Sequence, residues 1–159
     1  MKGIEESRIL IIDDEESIRK SLKLALEREG YLADTAENGR DAIRKSKRRL
    51  YNLALVDLRL PDMDGIELLT EMRETVPEMV KIIITGYPSL ENAIKAVNRG
   101  ADGYVVKPYT MENLLHEIKE RLRKQQEAKK YSEKKVKEFI ETRAEEYEST
   151  TRAKRSLKK

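Results

Sequence analysis

Short apolar runs alternate along the chain with longer stretches in which apolar residues recur at every third or fourth position. Four of the runs are rich in branched side chains and too short for helices, so they predict strands buried on both faces of a sheet. A fifth, weaker strand is predicted over residues 31–36, between Gly30 and the turn at Asn38-Gly39. The four stronger runs are residues 9–12, 53–56, 80–84 and 104–106.

Between the strands, apolar side chains form i, i+3, i+4 stripes, which are typical of helices that pack one face on a core. Thr110, a residue type that caps helices, precedes the last stripe. Strict alternation predicts parallel strands joined by right-handed crossovers. The expected fold is α/β: a doubly wound, flavodoxin-like (βα)₅ three-layer sandwich with parallel strand order 2-1-3-4-5 and a C-terminal helical extension. The stripes are Ile18, Leu22, Ala25 and Leu26; Ala42 and Ile43; Ile66, Leu69 and Met72; Leu90, Ala93, Ile94 and Val97; and Leu114, Leu115, Ile118 and Leu122.

Composition divides the chain near residues 123–126. Residues 1–125 contain all 4 Pro and all 7 Gly and should form the domain, whereas residues 126–159 should form a charged helical extension or linker. This extension has 11 Lys or Arg against 7 Asp or Glu, so the net charge of +3 arises in a basic C-terminus. Short basic ends are mostly solvating tails, and we therefore expect no specific nucleic-acid binding.

The extension also carries an apolar stripe, which should pack against the first domain, a second copy of the chain or a partner. A coiled coil that continues from the fifth helix is less favoured, because its core positions would be Gln125, Lys129 and Ser132. A helix with a weak middle is expected instead. The stripe consists of Val136, Phe139, Ile140, Ala144 and Tyr147.

Residue counts exclude several classes of chemistry. The absence of cysteine excludes disulfides, thiolate catalysis and cysteine-rich zinc sites, and a single histidine, His116, excludes histidine-cluster metal sites. His116 is expected to be structural. No apolar run approaches the roughly 18 residues of a membrane span, and residues 1–7 lack the apolar stretch of a signal peptide, so a cytoplasmic location is expected.

Polar side chains follow the predicted strands at one edge of the sheet. Asp13 and Asp14 come after the first strand, Asp57 after the third, Thr85 after the fourth and Lys107 after the fifth. The carboxyl ends of parallel strands meet at one edge, so these groups should converge. Clustered carboxylates without His or Cys suit Mg²⁺ or Mn²⁺, and Mg²⁺ commonly accompanies a phosphoryl ligand. Capping of the first helix is the simpler alternative for Asp13 and Asp14.

Four segments of residues 1–125 resemble the receiver domain of two-component response regulators. They are IIDDEE, with Asp13 and Asp14; LALVDLRLPDMDGIELL, with Asp57; IIITGYPS, with Thr85; and GADGYVVKPYT, with Tyr104 and Lys107. One segment is most similar to the receivers of transcriptional activators that act through AAA+ ATPase domains: TGYPSLENAIKAVNRGADGYVVKPYTMENL.

The resemblance implies a role for each residue at this edge. Asp57 would be the phosphoacceptor. Lys107 and Thr85 would bind the phosphoryl group. Thr85 would also rearrange together with Tyr104 on phosphorylation. The Lys107–Pro108 peptide would be cis. The implied Mg²⁺ ligands are Asp14, Asp57 and the carbonyl of Arg59, with Asp13 acting through a water.

Two further groups of residues lie beside these positions. Arg59 and Tyr87 flank the approach of water to Asp57 and could tune the phosphate lifetime. Asp62, Asp64 and Gly65 are expected to form a turn into the third helix, without a catalytic role.

The sequence therefore predicts a signalling switch rather than an enzyme. It would accept a phosphoryl group from a sensor histidine kinase, or from a small acyl phosphate, and control protein contacts through the surface of the fourth helix, fifth strand and fifth helix. Partners would be the kinase, an unidentified downstream protein, and a second copy bound through that surface or through the C-terminal helix.

Two alternatives remain open. No GxxxxGK[ST] motif or second α/β pattern is present, so an effector domain is not expected; the chain could equally be the receiver and linker of a longer DNA-binding transcriptional regulator. The second alternative is a phosphohydrolase that forms an aspartyl phosphate and releases it with turnover.

Overall fold

A computed structural model describes residues 6–72, 74 and 78–157, and within them five parallel strands form one sheet in the order β2-β1-β3-β4-β5. The predicted fold class and strand order are confirmed. The strands are β1 (Arg8–Ile12), β2 (Leu32–Ala36), β3 (Leu53–Asp57), β4 (Val80–Thr85) and β5 (Gly103–Val106). The helices are α1 (Glu16–Arg28), α2 (Gly39–Arg48), α3 (Gly65–Glu71), α4 (Leu90–Asn98) and α5 (Met111–Leu157).

Alternate residues of each central strand enter different cores, because successive side chains of a strand point to opposite faces. In β1, Ile9 and Ile11 pack with buried leucines of α1 and α5, whereas Leu10 and Ile12 pack with residues of α2 and α3. Each fully buried side chain of this size contributes about 1.5–3 kcal/mol to folding. Burial on both faces explains why the central strands read as continuous apolar runs.

The second strand begins at Leu32, one residue later than predicted. Gly30, with φ of +94°, ends α1: its N–H donates to the carbonyl of Glu27, and the Tyr31 N–H donates to the carbonyl of Leu26. This is the hydrogen-bond pattern of a Schellman cap. Tyr31 is therefore part of the helix cap rather than of the sheet.

Helix α4 forms where predicted, but its main apolar stripe does not face the core. Leu90, Ile94 and Val97 are 79%, 52% and 66% exposed, and the fully buried residue is Ala96. A small side chain at the contact allows the helix to approach the sheet closely. The periodicity locates an apolar stripe correctly, but it does not specify which surface covers the stripe.

Helix α5 is continuous over 47 residues, and the expected weak middle of its apolar pattern stays a prediction. Its start is as predicted, since the Thr110 hydroxyl accepts a hydrogen bond from the Asn113 N–H at 3.1 Å. The chain divides into two units between Arg123 and Lys124. In the first unit α5 buries Leu114, Ile118 and Leu122, and in the second every residue from 130 to 150 is exposed.

Across the described parts of the chain, none of the helices combines the length and the apolar character needed to cross a membrane.

Candidate functional site

Three carboxylates converge at the carboxyl edge of the sheet. One oxygen from each of Asp13, Asp14 and Asp57 lies within 4.8 Å of the other two. Asp57 is the last residue of β3, and the other two follow β1, its neighbour in the sheet. Asp13 accepts a hydrogen bond from the Glu15 N–H at 2.9 Å, and α1 has no side-chain cap, so capping does not account for the pair.

A lysine ammonium lies opposite these carboxylates. Lys107 Nζ is 3.8 Å from Asp13 Oδ2 and 3.9 Å from Asp57 Oδ2. The residue follows β5, and its N–H donates to the carbonyl of Thr85 at 2.8 Å, which fixes the base of the side chain beside β4. The Lys107–Pro108 peptide is cis, as expected. The ammonium thus lies within ion-pair distance of two of the three carboxylates.

Burial and mutual repulsion raise the pKa values of two of these carboxyl groups, Asp13 and Asp57. Burial, followed by the negative charge of Asp13, raises the pKa of Asp57 to about 6, although Lys107 and the Arg59 N–H oppose the shift. Burial also raises the pKa of Asp13, against hydrogen bonding from the Glu15 N–H. A site whose carboxylates resist ionisation together would gain from a divalent cation. The oxygen donors suit Mg²⁺ or Mn²⁺.

The raised pKa predicts a stability difference that depends on pH. Asp57 has a pKa near 3.9 when unfolded and about 6 when folded, so the native state binds more protons between these values. The free energy of unfolding should therefore fall as pH rises from about 4 to about 6. In metal-free buffer at pH 7, we expect Asp57→Asn to be about 3 kcal/mol more stable than the parent chain.

Urea denaturation of the two proteins at several pH values measures this difference. The gain should vanish below about pH 4, where the aspartate is protonated in both states. Saturating Mg²⁺ should reduce the stability difference between the two proteins at pH 7, since the cation offsets the repulsion among the carboxylates. A difference that stays constant from pH 4 to pH 7 would contradict the proposed repulsion.

The turn after Asp57 is held by structural contacts. Asp64 caps α3 by accepting a hydrogen bond from the Ile66 N–H at 2.8 Å. The Asp62 carboxylate accepts hydrogen bonds from the N–H groups of Gly39 and Arg40 at 2.8 and 2.9 Å. These contacts fasten the loop that carries the Arg59 carbonyl to the start of α2, and the turn forms as predicted.

A second set of contacts links Asp57 to the end of β4. Thr85 is buried, and its hydroxyl oxygen accepts a hydrogen bond from the Tyr87 N–H at 3.0 Å. The Tyr87 ring is stacked with the guanidinium of Arg59, at 3.9 Å to the ring centroid. The Arg59 N–H donates to Asp57 Oδ1 at 3.3 Å. The sequence predicts that Arg59 and Tyr87 are neighbours of the site, but not that they contact each other.

The comparisons with known proteins decide the family. The family model for the response regulator receiver domain matches residues 9–119. The chain belongs to the response regulator receiver family. The resemblance in the sequence is thereby confirmed, whereas the finer likeness to receivers of AAA+ activators stays a prediction.

Similar proteins and similar solved structures support this assignment to the receiver family. The transcriptional regulatory protein ResD of Bacillus subtilis is 38% identical over 124 residues, which are 78% of this chain and 51% of that protein. The crystal structure of a CheY-like receiver domain protein from Methanospirillum hungatei is 44% identical, with a TM-score of 0.75 over 78% of this chain and 99% of that one.

A third similar structure is a response regulator from Burkholderia pseudomallei with a phosphorylated aspartic acid and a calcium ion. It is 32% identical, with a TM-score of 0.63, and the match covers 69% of this chain and 65% of that one. The receiver chain itself spans about half the length of the curated relatives that it matches.

Membership of the family fixes the general character of the site. Receiver domains are signalling switches rather than conventional enzymes, they interact with histidine kinases, and they bind Mg²⁺ at an acidic pocket. The cluster of Asp13, Asp14 and Asp57 fits such a cation, because it offers three clustered carboxylates with hard oxygen donors.

Two neighbours of this receiver site were not predicted from the sequence. Arg19 of α1 donates from its guanidinium to the carbonyl of Asp13 at 2.8 Å, which holds the acidic loop against the helix. Tyr109 is half-buried, and burial, followed by the charges of Asp13 and Asp57, raises its pKa. The position of Tyr109 two residues after Lys107 was the available signal, whereas nothing in the sequence marks Arg19.

Tyr104 and His116, two further residues of the sequence predictions, lie in different environments. The Tyr104 ring packs against the core, and among the described residues its buried hydroxyl has no hydrogen-bond partner. His116 is exposed on α5, in the first unit, and is distant in sequence from the acidic residues.

Proposed function

We propose that Asp57 accepts a phosphoryl group from a sensor histidine kinase, or from a small acyl phosphate, in the presence of Mg²⁺. The observation that carries the proposal is the position of Lys107 Nζ at 3.9 Å from the Asp57 carboxylate, inside a cluster of three acids. A carboxylate oxygen forms the new bond to phosphorus, and the bond from phosphorus to the donor's nitrogen or oxygen breaks. Lys107 balances charge on the phosphoryl oxygens.

Three of the groups proposed to hold the metal, the carboxylates of Asp13, Asp14 and Asp57, lie close together. Asp14, Asp57 and the carbonyl of Arg59 are the proposed direct ligands, and Asp13 acts through a water. Mg²⁺ supplies positive charge where the phosphoryl oxygens gather, and Mn²⁺ has suitable ligand preferences as well. Burial, followed by the charge of Asp13, raises the pKa of Asp57 to about 6, and a dication beside this carboxyl group would favour its ionised form.

Thr85 and Tyr104 are the proposed switch. The Thr85 hydroxyl accepts one hydrogen bond from the Tyr87 N–H, which leaves its own proton for a phosphoryl oxygen. Movement of this hydroxyl toward Asp57 would change the packing beside Tyr104, whose hydroxyl is buried without a partner in the described chain.

The output surface would be α4, β5 and the first part of α5. Leu90, Ile94 and Val97 on α4 and Val106 on β5 expose apolar area, which is typical of protein contact sites. The occupant would be a second copy or a downstream protein. Light-scattering mass with and without beryllofluoride and Mg²⁺ tests the first case, and a rise in the parent chain that is lost in Ile94→Glu would support it.

A stoichiometric assay tests the phosphoacceptor proposal. Intact mass after incubation with acetyl phosphate and Mg²⁺, or with a phosphorylated kinase, should show one added phosphoryl group. Asp57→Asn should gain none, and its cooperative unfolding serves as the folding control. Repeated turnover of a phosphate ester would instead favour the phosphohydrolase, and no transfer from either donor would contradict the proposal.

The relation to longer regulators is also a proposal. The similarity to ResD, a transcriptional regulatory protein, supports a chain that serves as the receiver part of a transcriptional regulator in the cytoplasm. Sequencing of the reading frame in its genomic context decides whether a DNA-binding segment follows. A tight, sequence-specific DNA complex formed by this chain itself would contradict the expectation that it binds no specific nucleic acid.

The stack of Arg59 and Tyr87 is expected to lengthen the life of the acyl phosphate. It lies beside Asp57 and restricts the approach of water, so Arg59→Ala and Tyr87→Ala should each shorten the phosphate half-life about threefold or more. Loss of radiolabel over time measures the half-life. The double variant should be no faster than the faster single variant, since either change removes the same stack. Unchanged half-lives in both single variants would remove the role.

A further inference from the structure

Charge is arranged in three blocks along the C-terminal part of the sequence. Residues 129–137, the basic block, contain five Lys and one Glu, and residues 138–148, the acidic block, contain five Glu and one Arg. Residues 152–159 contain five Lys or Arg and no acid. The adjacent basic and acidic blocks have similar lengths and opposite charge.

An exposed apolar cluster lies where the basic and acidic blocks meet. Val136, Phe139 and Ile140 are 57%, 61% and 60% exposed, and Tyr147 continues the same stripe at 74%. Large apolar side chains gathered on one face of a helix are typical of a surface that another protein segment covers. The covering segment must also match the change of charge from basic to acidic along the helix.

Four charged residues beside the stripe define that match. Lys130, Lys137, Glu141 and Glu148 are separated by 7, 4 and 7 residues, so they lie on one side of the helix. They are also symmetric about Phe139: Lys130 and Glu148 are each nine residues from it, and Lys137 and Glu141 are each two residues from it. Each symmetric pair combines opposite charges.

We propose that residues 124–157 pair with the same segment of a second copy in antiparallel orientation, centred on Phe139. This arrangement places Lys130 near Glu148 of the second copy and Lys137 near Glu141 of the second copy. The basic block of each chain then faces the acidic block of the other, and the two apolar clusters cover each other. Complementary flanking charges of this kind determine orientation in paired helices.

A parallel pair in register would have the opposite electrostatics. Each block would face itself, so Lys would lie beside Lys in the basic block and Glu beside Glu in the acidic block. Arg143, at the next turn of the stripe after Ile140, would also meet its own copy at the contact. The charge pattern therefore favours antiparallel pairing, which the apolar stripe alone does not distinguish from parallel pairing.

Because the chain contains no cysteine of its own, single cysteines introduced into the full chain can test the pairing by disulfide crosslinking. Ser132 and Tyr147 lie on the stripe side of the helix and are 15 residues apart, so an antiparallel pair centred on Phe139 brings them together. Each lies about 20 Å from its own copy in that pair, beyond the roughly 7 Å between Cα atoms that a disulfide allows. We therefore expect a disulfide dimer when Ser132→Cys and Tyr147→Cys chains are mixed and oxidised, and none from either alone.

Other outcomes of the crosslinking would overturn the proposal. Self-crosslinking of each variant would show parallel pairing. Absence of any crosslink, together with a monomeric mass for the unmodified chain, would show that the stripe is covered by the first domain or by another partner. The same crosslinks are expected in the Asp57→Asn background, so this result and the phosphoacceptor test can fail separately.

Charge reversal provides an independent readout. Glu148→Lys should raise the dimer dissociation constant at least tenfold in sedimentation equilibrium, and Lys130→Glu in the same chain should restore most of the affinity. Glu145→Lys is the matched control, because Glu145 belongs to the same block but lies nine residues from Val136, on the opposite side of the helix. Equal effects of Glu148→Lys and Glu145→Lys, or no rescue, would contradict the proposed register.

Discussion

Replacement of Gly65 by alanine should lower the free energy of unfolding by about 3 kcal/mol, which is at the upper end for an overpacked site. An added Cβ would lie 3.0 Å from the Leu58 Cα and 3.1 Å from the Asp57 carbonyl carbon, and closer still to the Asp57 carbonyl oxygen. All three are backbone atoms, so no side chain can rotate away. The Gly65 N–H also donates to the Leu58 carbonyl at 2.8 Å, which holds the two segments together.

Urea denaturation and Mg²⁺ titration calorimetry would measure both consequences of this change. We expect weaker Mg²⁺ binding as well as lower stability, because the shifted segment carries Asp57 and the Arg59 carbonyl. Gly86→Ala is the matched control: its Cβ would meet only Lys107 side-chain atoms at 3.9 Å, an ordinary contact. Equal stability of the Gly65→Ala protein and the parent would show that the loop has room for the methyl group.

Replacement of Lys107 by methionine should slow phosphoryl transfer about a hundredfold or more, since it removes the ammonium that lies beside the reacting carboxylate. Methionine keeps a long, flexible stem without the charge. Mg²⁺ affinity should not fall, because the loss of a cation leaves the three carboxylates more attractive to a dication. Rates of transfer from acetyl phosphate and calorimetric titration with Mg²⁺ would separate the two effects.

A surface lysine supplies the control for this substitution. Lys95 pairs with Glu91 on α4, and Lys95→Met should leave both the transfer rate and Mg²⁺ affinity near those of the parent. Equal transfer rates for Lys107→Met and the parent would contradict the proposed charge balance. A parallel loss of Mg²⁺ binding would instead indicate that Lys107 holds the loop structure.

The strand pattern predicts most of the fold for a definite physical reason. Successive side chains of a central strand enter two different cores: Ile9 and Ile11 enter one, and Leu10 and Ile12 enter the other. This burial on both faces produces the apolar runs that predict the sheet. Parallel strands bring their carboxyl ends to one edge, so the meeting of Asp13, Asp57 and Lys107 also follows from the sequence. Their roles in phosphoryl transfer remain proposals.

The features that sequence analysis missed depend on contacts between distant segments. Periodicity identifies the apolar stripe of α4, but Ala96, which lies outside that stripe, is the fully buried residue of the helix. The stack of Arg59 on Tyr87 joins the ends of two strands, and its geometry depends on both loops. The contact of Arg19 with the Asp13 carbonyl is similar, because a basic residue on a helix surface has many available partners.

The same limit applies to the C-terminal helix. Lys129 and Ser132 at core positions weaken the predicted coiled-coil pattern in the middle of this segment, yet α5 is continuous to Leu157. Most residues of this segment are good helix formers, and propensity summed over a long segment supports a helix even where the apolar pattern weakens. The coiled-coil pattern concerns what the helix contacts, rather than whether it forms.

The most direct test of the central claim is the chemical location of the phosphoryl group. After incubation with acetyl phosphate and Mg²⁺, borohydride reduction should convert the acyl phosphate to homoserine, and peptide mass spectrometry would identify the residue. The predicted result is homoserine at position 57 alone, with none in the Asp57→Asn chain. Homoserine at Asp13 or Asp14, or a stable phosphoryl group on His116, would contradict the assignment of Asp57 as the phosphoacceptor.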